Sequence, residues 1–142
     1  LVQIALGALA KMCYGPSGAD NAALIGGAGA MRFIVDLISQ PPVANSDFVV
    51  MRDSAVTTLK ALFERSPANQ RAILPLLGPL LTTQNDQLRL LALHILKETT
   101  RVLPSETGKF AEQIGLQRLL SVLNSDNVDV QSECLLVCKT II

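Results

Sequence analysis

Apolar residues recur along this 142-residue chain at the three- and four-residue steps of α-helices. In the first segment, for example, Leu1, Ala5, Leu9 and Met12 fall on one face of a helix. No segment shows the strict apolar–polar alternation that is typical of a half-buried strand. The pattern therefore predicts an all-α fold.

Long helices alternate with pairs of shorter ones. The long helices are predicted at residues 1–13, 48–66, 86–102 and 127–142, and the shorter pairs at 21–40, 71–83 and 110–126. In the first pair, Asp20 is the candidate N-cap and the glycines separate the two helices. Pro75 and Pro79 interrupt the second pair, and proline denies an amide donor to a helix, so we expect an irregular junction there.

The long helices share a register. Their starts are spaced by 50, 37 and 42 residues, and the position four residues further on is small in every case. The starts are Leu1, Met51, Leu88 and Val130, and the small residues are Ala5, Ala55, Ala92 and Cys134. A helical unit repeated at about 40 residues is typical of a stacked α-solenoid.

Two stretches of the chain, DNAALIGGAGAMRFIVDLIS and KFAEQIGLQRLLSVLNSDNVDVQ, resemble the armadillo repeat. Asn21 precedes a short helix in the first, and Gly26, Gly27 and Gly29, with Gly115 in the second, stand at the bend between helices one and two. Residues 68–89 fit less well because the bend glycines are missing, and the HEAT repeat is the neighbouring possibility.

The resemblance implies a right-handed superhelix of three-helix repeats. The approximate units are 1–47, 48–85, 86–126 and a partial 127–142, and we expect an excerpt of a longer array with further repeats of the same chain at both ends. It also implies a protein–protein interaction scaffold or adaptor that binds an extended partner segment in a concave groove lined by the long third helices.

Groove positions follow from the register alone. They are Ile4, Lys11, Thr57, Lys60, His94, Lys97, Glu98 and Lys139. Three of the lysines fall nine residues after their helix starts and Lys11 falls ten after, so stacked helices would align them in a row. Such a row would suit an acidic or phosphorylated partner segment. The alternative is a set of solvated lysines with acidic neighbours.

Importin-alpha-type repeats carry Trp and Asn on the third helix. The Trp-equivalent positions here are Gly7, Thr57, His94 and Leu136, and no Asn ladder accompanies them, so nuclear-import cargo binding of that kind is not expected. Two other functions stay open. One is a structural segment of a large cytoskeletal, ciliary or trafficking assembly, bound through the convex side or the loop PPVANSD. The other is a regulatory array beside a catalytic domain.

Composition narrows the function classes. Twelve basic residues balance twelve acidic ones, without the basic footprint of a nucleic-acid binder. The apolar runs are far shorter than the roughly 20 residues of a membrane span. The three cysteines are expected to be small core residues in a reducing compartment, which favours a cytoplasmic protein, with the nucleus as the alternative.

The glycine-rich stretch IGGAGA does not match a phosphate-binding loop. A Walker loop needs Lys and then Ser or Thr, whereas Ala30, Met31 and Arg32 stand here, and the dinucleotide spacing G-x-G-x-x-G is absent. His94 has no nucleophile partner in the sequence, and the carboxylates of Glu98 and Glu112 converge on no second chemical group. We therefore expect no catalytic residue, no metal and no cofactor.

Overall fold

A computed structural model of the chain describes residues 1–41, 44, 46–106, 108–109, 112 and 115–141. Its α-helices are α1 (Val2–Met12), α2 (Gly18–Gly27), α3 (Ala30–Ile38), α4 (Ser46–Arg65), α5 (Pro67–Ile73), α6 (Gly78–Thr82), α7 (Asp86–Val102), α8 (Leu116–Val122) and α9 (Val128–Ile141). Short 3-10 helices span Leu74–Leu76 and Pro104–Glu106. The described part of the chain contains no strand, so the predicted all-α class is confirmed.

Two stretches with predicted features fall partly outside this description. Residues 110, 111, 113 and 114, in the predicted first helix of the third repeat, are outside it, and so are 42, 43 and 45 of the loop PPVANSD. The bend position Gly115 lies inside it, and so do the predicted long helices except residue 142.

The chain forms two compact units, Leu1–Ile73 and Leu74–Ile142. Unit 1 holds α1 to α5 and unit 2 holds α6 to α9. The division falls inside the predicted second repeat, 48–85, where the 3-10 turn around Pro75 interrupts the helices. The irregular junction predicted from Pro75 and Pro79 is therefore confirmed, whereas the repeat boundaries stay predictions.

In unit 1, the long helix α4 contacts all four other helices. Its inner face buries Ala55, Leu59 and Leu62 completely. The Thr58 hydroxyl lies 3.0 Å from the Leu6 carbonyl oxygen of α1 and 2.8 Å from the Ser54 carbonyl oxygen of its own helix. The hydrogen bond to Leu6 joins α1 to α4. Small residues on this face, such as Ala55, allow the two helices to lie side by side.

The corner between α2 and α3 turns by 76°. Gly29, just before α3, has a φ of +90°, a left-handed conformation that glycine adopts without steric cost. Gly26 and Gly27 instead form the last turn of α2. A Cβ on Gly26 would overlap the side-chain amide of Asn69 on α5, so this glycine permits a close packing contact.

The N-terminus of α2 differs from the prediction. The helix begins at Gly18 with Ser17 at the N-cap position, so Asp20 is not the N-cap but lies in the first turn. A carboxylate there interacts favourably with the positive end of the helix dipole. Asn21 donates a hydrogen bond of 2.9 Å to the Met12 carbonyl oxygen, which satisfies one of the free acceptors at the end of α1.

In unit 2, α7 packs along α9, and α6 and α8 cover their other sides. Asn85 caps α7 by accepting from the amides of Gln87 and Leu88, and Asn127 accepts in the same way from the amides of Asp129 and Val130 in α9. The buried residues Ala92, Leu96, Cys134 and Val137 lie on the inner faces of the two long helices. Gly115, with a φ of +80°, precedes α8.

No single helix in the described ranges is both long and apolar enough to cross a membrane; α2 and α3 reach that length only together, across their 76° bend.

Candidate partner-binding surface

The long helix α4 has one narrow solvent-facing side. Exposed residues recur along it at three- and four-residue steps, and they are Val50, Asp53, Thr57, Lys60 and Glu64. We call this set the α4 stripe. The opposite face is the buried side that packs on α1, α2 and α3. The predicted groove residues Thr57 and Lys60 are therefore both accessible.

The equivalent positions of the other long helices also reach the solvent. On α9, Leu136 and Lys139 are exposed, and on α7, His94, Lys97 and Glu98 are half-buried. On α1, Lys11 is exposed and Ile4 is 74% exposed. Each predicted groove residue thus has an accessible surface in its own unit.

A cleft opens between α1 and α4 within unit 1. Its volume is about 280 Å³, and its lining residues are Gly7, Ala10, Val50, Asp53, Ser54, Thr57 and Thr58. We call it the α1–α4 cleft. Of the predicted groove residues only Thr57 lines it; Ile4, Lys11 and Lys60 do not. Gly7, which lines the other side, occupies the same repeat position as Thr57.

Two of the hydroxyl groups that line the α1–α4 cleft donate to backbone carbonyls. The Thr57 hydroxyl donates to the Asp53 carbonyl oxygen at 3.0 Å, so its proton is already used. The Thr58 proton is used in the same way, toward Ser54 or Leu6. The Asp53 side chain is exposed, and no cation among the described residues forms an ion pair with it.

Lys97 differs from the other predicted lysines because its ammonium group has a partner. Its Nζ lies 2.9 Å from Oε2 of Glu133 on α9, and the two side chains are 35% and 33% exposed. The bond joins α7 to α9, so Lys97 is not a free cation and fits the alternative of a lysine with an acidic neighbour. Lys60 belongs to unit 1 and Lys139 to unit 2, and the continuous row stays a prediction.

Glu98 has a local partner. Its Oε2 accepts from Nη2 of Arg101 at 2.8 Å, one helical turn away. This ion pair holds the Glu98 side chain on the surface of α7. His94 is half-buried in the same helix and also interacts with the rest of the protein.

The three cysteines are buried free thiols, as predicted. Burial raises the pKa of the Cys134 thiol to about 12, and the neighbouring Cys138 adds to the rise. Burial likewise raises the pKa of Cys13, although the Arg65 guanidinium opposes part of that effect. Thiolates are the reactive form, so Cys13 and Cys134 act as core side chains at neutral pH. Nowhere in the described ranges do three His, Cys, Asp or Glu side chains cluster as metal ligands would.

One face of α1 is apolar and uncovered. Ala5 is exposed, whereas the equivalent Ala55 and Ala92 are fully buried in α4 and α7. Met12 is half exposed, whereas Leu62, its equivalent, is fully buried. In the repeat register, the exposed face of α1 therefore corresponds to the buried face of α4.

Reasoning from the sequence missed most of the cleft. Val50 and Asp53 precede Thr57 by seven and four residues on the same helical side, and this spacing was the signal available for them. In the sequence, Gly7 is notable only because it departs from the importin-alpha pattern. The cleft itself depends on the distance between α1 and α4, which no local pattern encodes.

A scan against protein-family models finds no family that matches the chain, and a search of curated proteins finds no match.

Proposed function

We propose that the chain is a protein–protein interaction scaffold of armadillo-like repeats, without catalytic activity of its own, that binds an extended partner segment across the solvent-facing sides of its long helices in the cytoplasm. The carrying observation is that the register-equivalent positions Thr57, His94 and Leu136 all reach the surface. A right-handed superhelical arrangement of the repeats is part of this proposal.

The bare face of α1 supports a repeat array. Because α4 buries the equivalent residues against its neighbour, a further helix with the same inner face as α1 would cover Ala5 and Met12 in the same way. Further repeats of the same kind are therefore the partners that fit this face, and the remaining solvent-facing side is left for other proteins.

Charge adds a preference to the proposal. Lys60 and Lys139 are exposed near the C-terminal ends of α4 and α9, where no acidic side chain of the described residues pairs with them. They favour acidic or phosphorylated positions in the partner. Lys97 contributes less, because Glu133 already neutralises it.

Charge reversal tests the proposed surface. The double variant Lys60→Glu/Lys139→Glu is compared with Arg32→Glu/Lys109→Glu, which reverses two exposed charges on other elements, in affinity capture from cells that express the protein. The Lys60→Glu/Lys139→Glu variant is expected to lose partners that wild type and the control both retain. Identical partner sets for all three proteins would refute the surface.

A second candidate function rests on a different observation. Leu24 on α2 and Phe33 on α3 are large apolar side chains that are 73% and 59% exposed. These residues suit a structural segment that packs into a large assembly through its short helices. In that case Phe33→Ser would remove the captured partners and the Lys60→Glu/Lys139→Glu variant would keep them.

A further inference from the structure

Two arginines of α4 lie against aromatic rings, and the two contacts differ. Cζ of Arg52 is 5.9 Å from the ring centroid of Phe48, which is only 9% exposed, so this arginine covers a ring of the core. Cζ of Arg65 is 5.5 Å from the ring centroid of Tyr14, which is 55% exposed and lies in the loop between α1 and α2. Packing of the core therefore explains the first contact but not the second.

The Arg65 guanidinium is held at the α1–α2 loop, which consists of residues 13–17. Arg65 is the last residue of α4, and its Nη1 lies 3.5 Å from the position that a Cβ on Gly18 would occupy at the start of α2. Its positive charge also offsets part of the rise in pKa that burial gives the Cys13 thiol. The Tyr14 ring, the Cys13 thiol and the start of α2 thus all lie near this one cation.

Neither the Arg65 guanidinium nor the Tyr14 hydroxyl is committed to another group within the described part of the chain. Asp20 in the first turn of α2 and Glu64 on α4 are acids of the adjoining segments, and neither forms an ion pair with Arg65. A guanidinium carries five N–H donors in a fork that matches the oxygens of a phosphate. The loop therefore places an exposed tyrosine beside a cation whose donors are unused.

We propose that Tyr14 is a phosphorylation site and that Arg65 binds the phosphate group that Tyr14 then carries. In the transfer, the phenol oxygen of Tyr14 forms a bond to the γ-phosphorus of ATP, and the bond from that phosphorus to the oxygen of the β-phosphate breaks, so ADP leaves. A carboxylate of a protein tyrosine kinase accepts the phenol proton. This inference does not rest on the proposed scaffold function.

The phosphate group would join two segments of unit 1. It adds a charge of about −1.5 to −2 and three acceptor oxygens, which form charge-assisted hydrogen bonds with an arginine. It is attached to the ring that the Arg65 guanidinium already covers, so a rotation of the Arg65 side chain is enough to bring the two groups together. The modified loop would then be tied to the C-terminal end of α4, which strengthens the attachment of α1 to that helix.

The first experiment asks whether the folded chain is a substrate. The protein is incubated with ATP and the catalytic domain of a broad-specificity tyrosine kinase, and its mass is measured. Tyr14 is the only tyrosine, so any phosphotyrosine is Tyr14, and Tyr14→Phe is the blank. The folded chain is expected to gain one phosphate, and protein isolated from cells that express it, after inhibition of tyrosine phosphatases, should carry the same group. Modification of the urea-unfolded chain alone, or absence of the phosphate from those cells, would overturn the site.

The second experiment tests the role of Arg65. The phosphorylated forms of wild type, Arg65→Gln and Arg52→Gln are treated with the catalytic domain of a tyrosine phosphatase, and the release of phosphate is followed. Wild type is expected to lose its phosphate about fivefold more slowly than Arg65→Gln at low ionic strength, because an exposed ion pair contributes about 1 kcal/mol. Arg52→Gln makes the same substitution in the same helix at the arginine that covers Phe48, so it should match wild type.

Salt separates binding of the phosphate from a structural effect of the substitution. An ion pair is screened at 1 M salt, so the rates of wild type and Arg65→Gln should converge there. Equal rates at low salt, or a difference that persists at 1 M salt, would overturn the assignment of Arg65. The charge-reversal test of the scaffold surface uses Lys60 and Lys139, so either proposal can fail without the other.

Discussion

The adjacent glycines Gly26 and Gly27 provide a matched pair of substitutions within one helical turn. Both lie at the end of α2, so alanine should raise the helix propensity by a similar amount at each. Their surroundings differ. A Cβ on Gly27 meets no atom within 4 Å, whereas a Cβ on Gly26 would overlap the Asn69 side-chain amide. Gly27→Ala should therefore stabilise unit 1, and Gly26→Ala should destabilise it.

The magnitude follows from the position of Asn69. This side chain is buried, and its Nδ2 donates to the carbonyl oxygens of Ala22 at 2.7 Å and Leu62 at 3.1 Å. It cannot move aside without breaking these bonds, and leaving the buried amide unsatisfied costs about 1–3 kcal/mol in total. Gly27→Ala should gain about 0.5–1 kcal/mol. We expect the two variants to differ by about 2–4 kcal/mol.

The assay uses the only tyrosine of the chain. Tyr14 lies in unit 1, with the Arg65 guanidinium 5.5 Å from its ring centroid, and the sequence contains no tryptophan. Tyrosine fluorescence during urea unfolding therefore reports on unit 1. In an Asn69→Ala background the amide is gone, so Gly26→Ala should become neutral or stabilising. Equal stabilities for Gly26→Ala and Gly27→Ala in the wild-type background would refute the packing argument.

Three further substitutions probe other contacts. Thr58→Val keeps the side-chain shape but removes the hydrogen bond to Leu6, and it should cost unit 1 about 1 kcal/mol in the same fluorescence assay. A double-mutant cycle on Lys97 and Glu133 should give a coupling of about 0.5 kcal/mol in unfolding followed by circular dichroism, because both side chains are about one-third exposed; a coupling that survives 1 M salt would contradict a simple ion pair. The pKa of the Cys134 thiol is 9.0 in the unfolded chain and about 12 in the folded chain. Its contribution to the free energy of unfolding is therefore complete below pH 9 and falls by about 1.4 kcal/mol per pH unit above pH 9. Cys134→Ala should therefore lose stability less steeply than wild type between pH 9 and 10.5, and parallel slopes would contradict the assignment.

Much of the fold could be predicted because helical periodicity is local information. Of the four small residues in register, Ala55, Ala92 and Cys134 are fully buried, whereas Ala5 is exposed. The start of α2 could not be placed as well. Asp20 and Ser17 are both acceptable N-caps by residue type, and the helix begins at Gly18, where a Cβ would overlap the Cys13 carbonyl.

Contacts between segments that are far apart in the sequence could not be predicted from it. The sequence predicts that the glycine cluster forms a single bend. In the structure, Gly26 instead leaves the space that the Asn69 side chain occupies, and Asn69 lies 43 residues further along the chain. The register likewise predicts the same role for all the lysines, whereas Lys97 forms an ion pair with Glu133 of the neighbouring helix. Such pairings depend on how the helices pack, so they became visible only in three dimensions.

Site-specific photo-crosslinking tests the central claim most directly. Benzoylphenylalanine is introduced at Thr57, on the α4 stripe, or at Arg32, an exposed residue of α3, and the protein is irradiated in cells that express it. The scaffold function predicts that the Thr57 position crosslinks to one extended segment of a partner protein and that the Arg32 position does not. Crosslinks to the same partner from Arg32 alone would contradict a binding surface on the long helices.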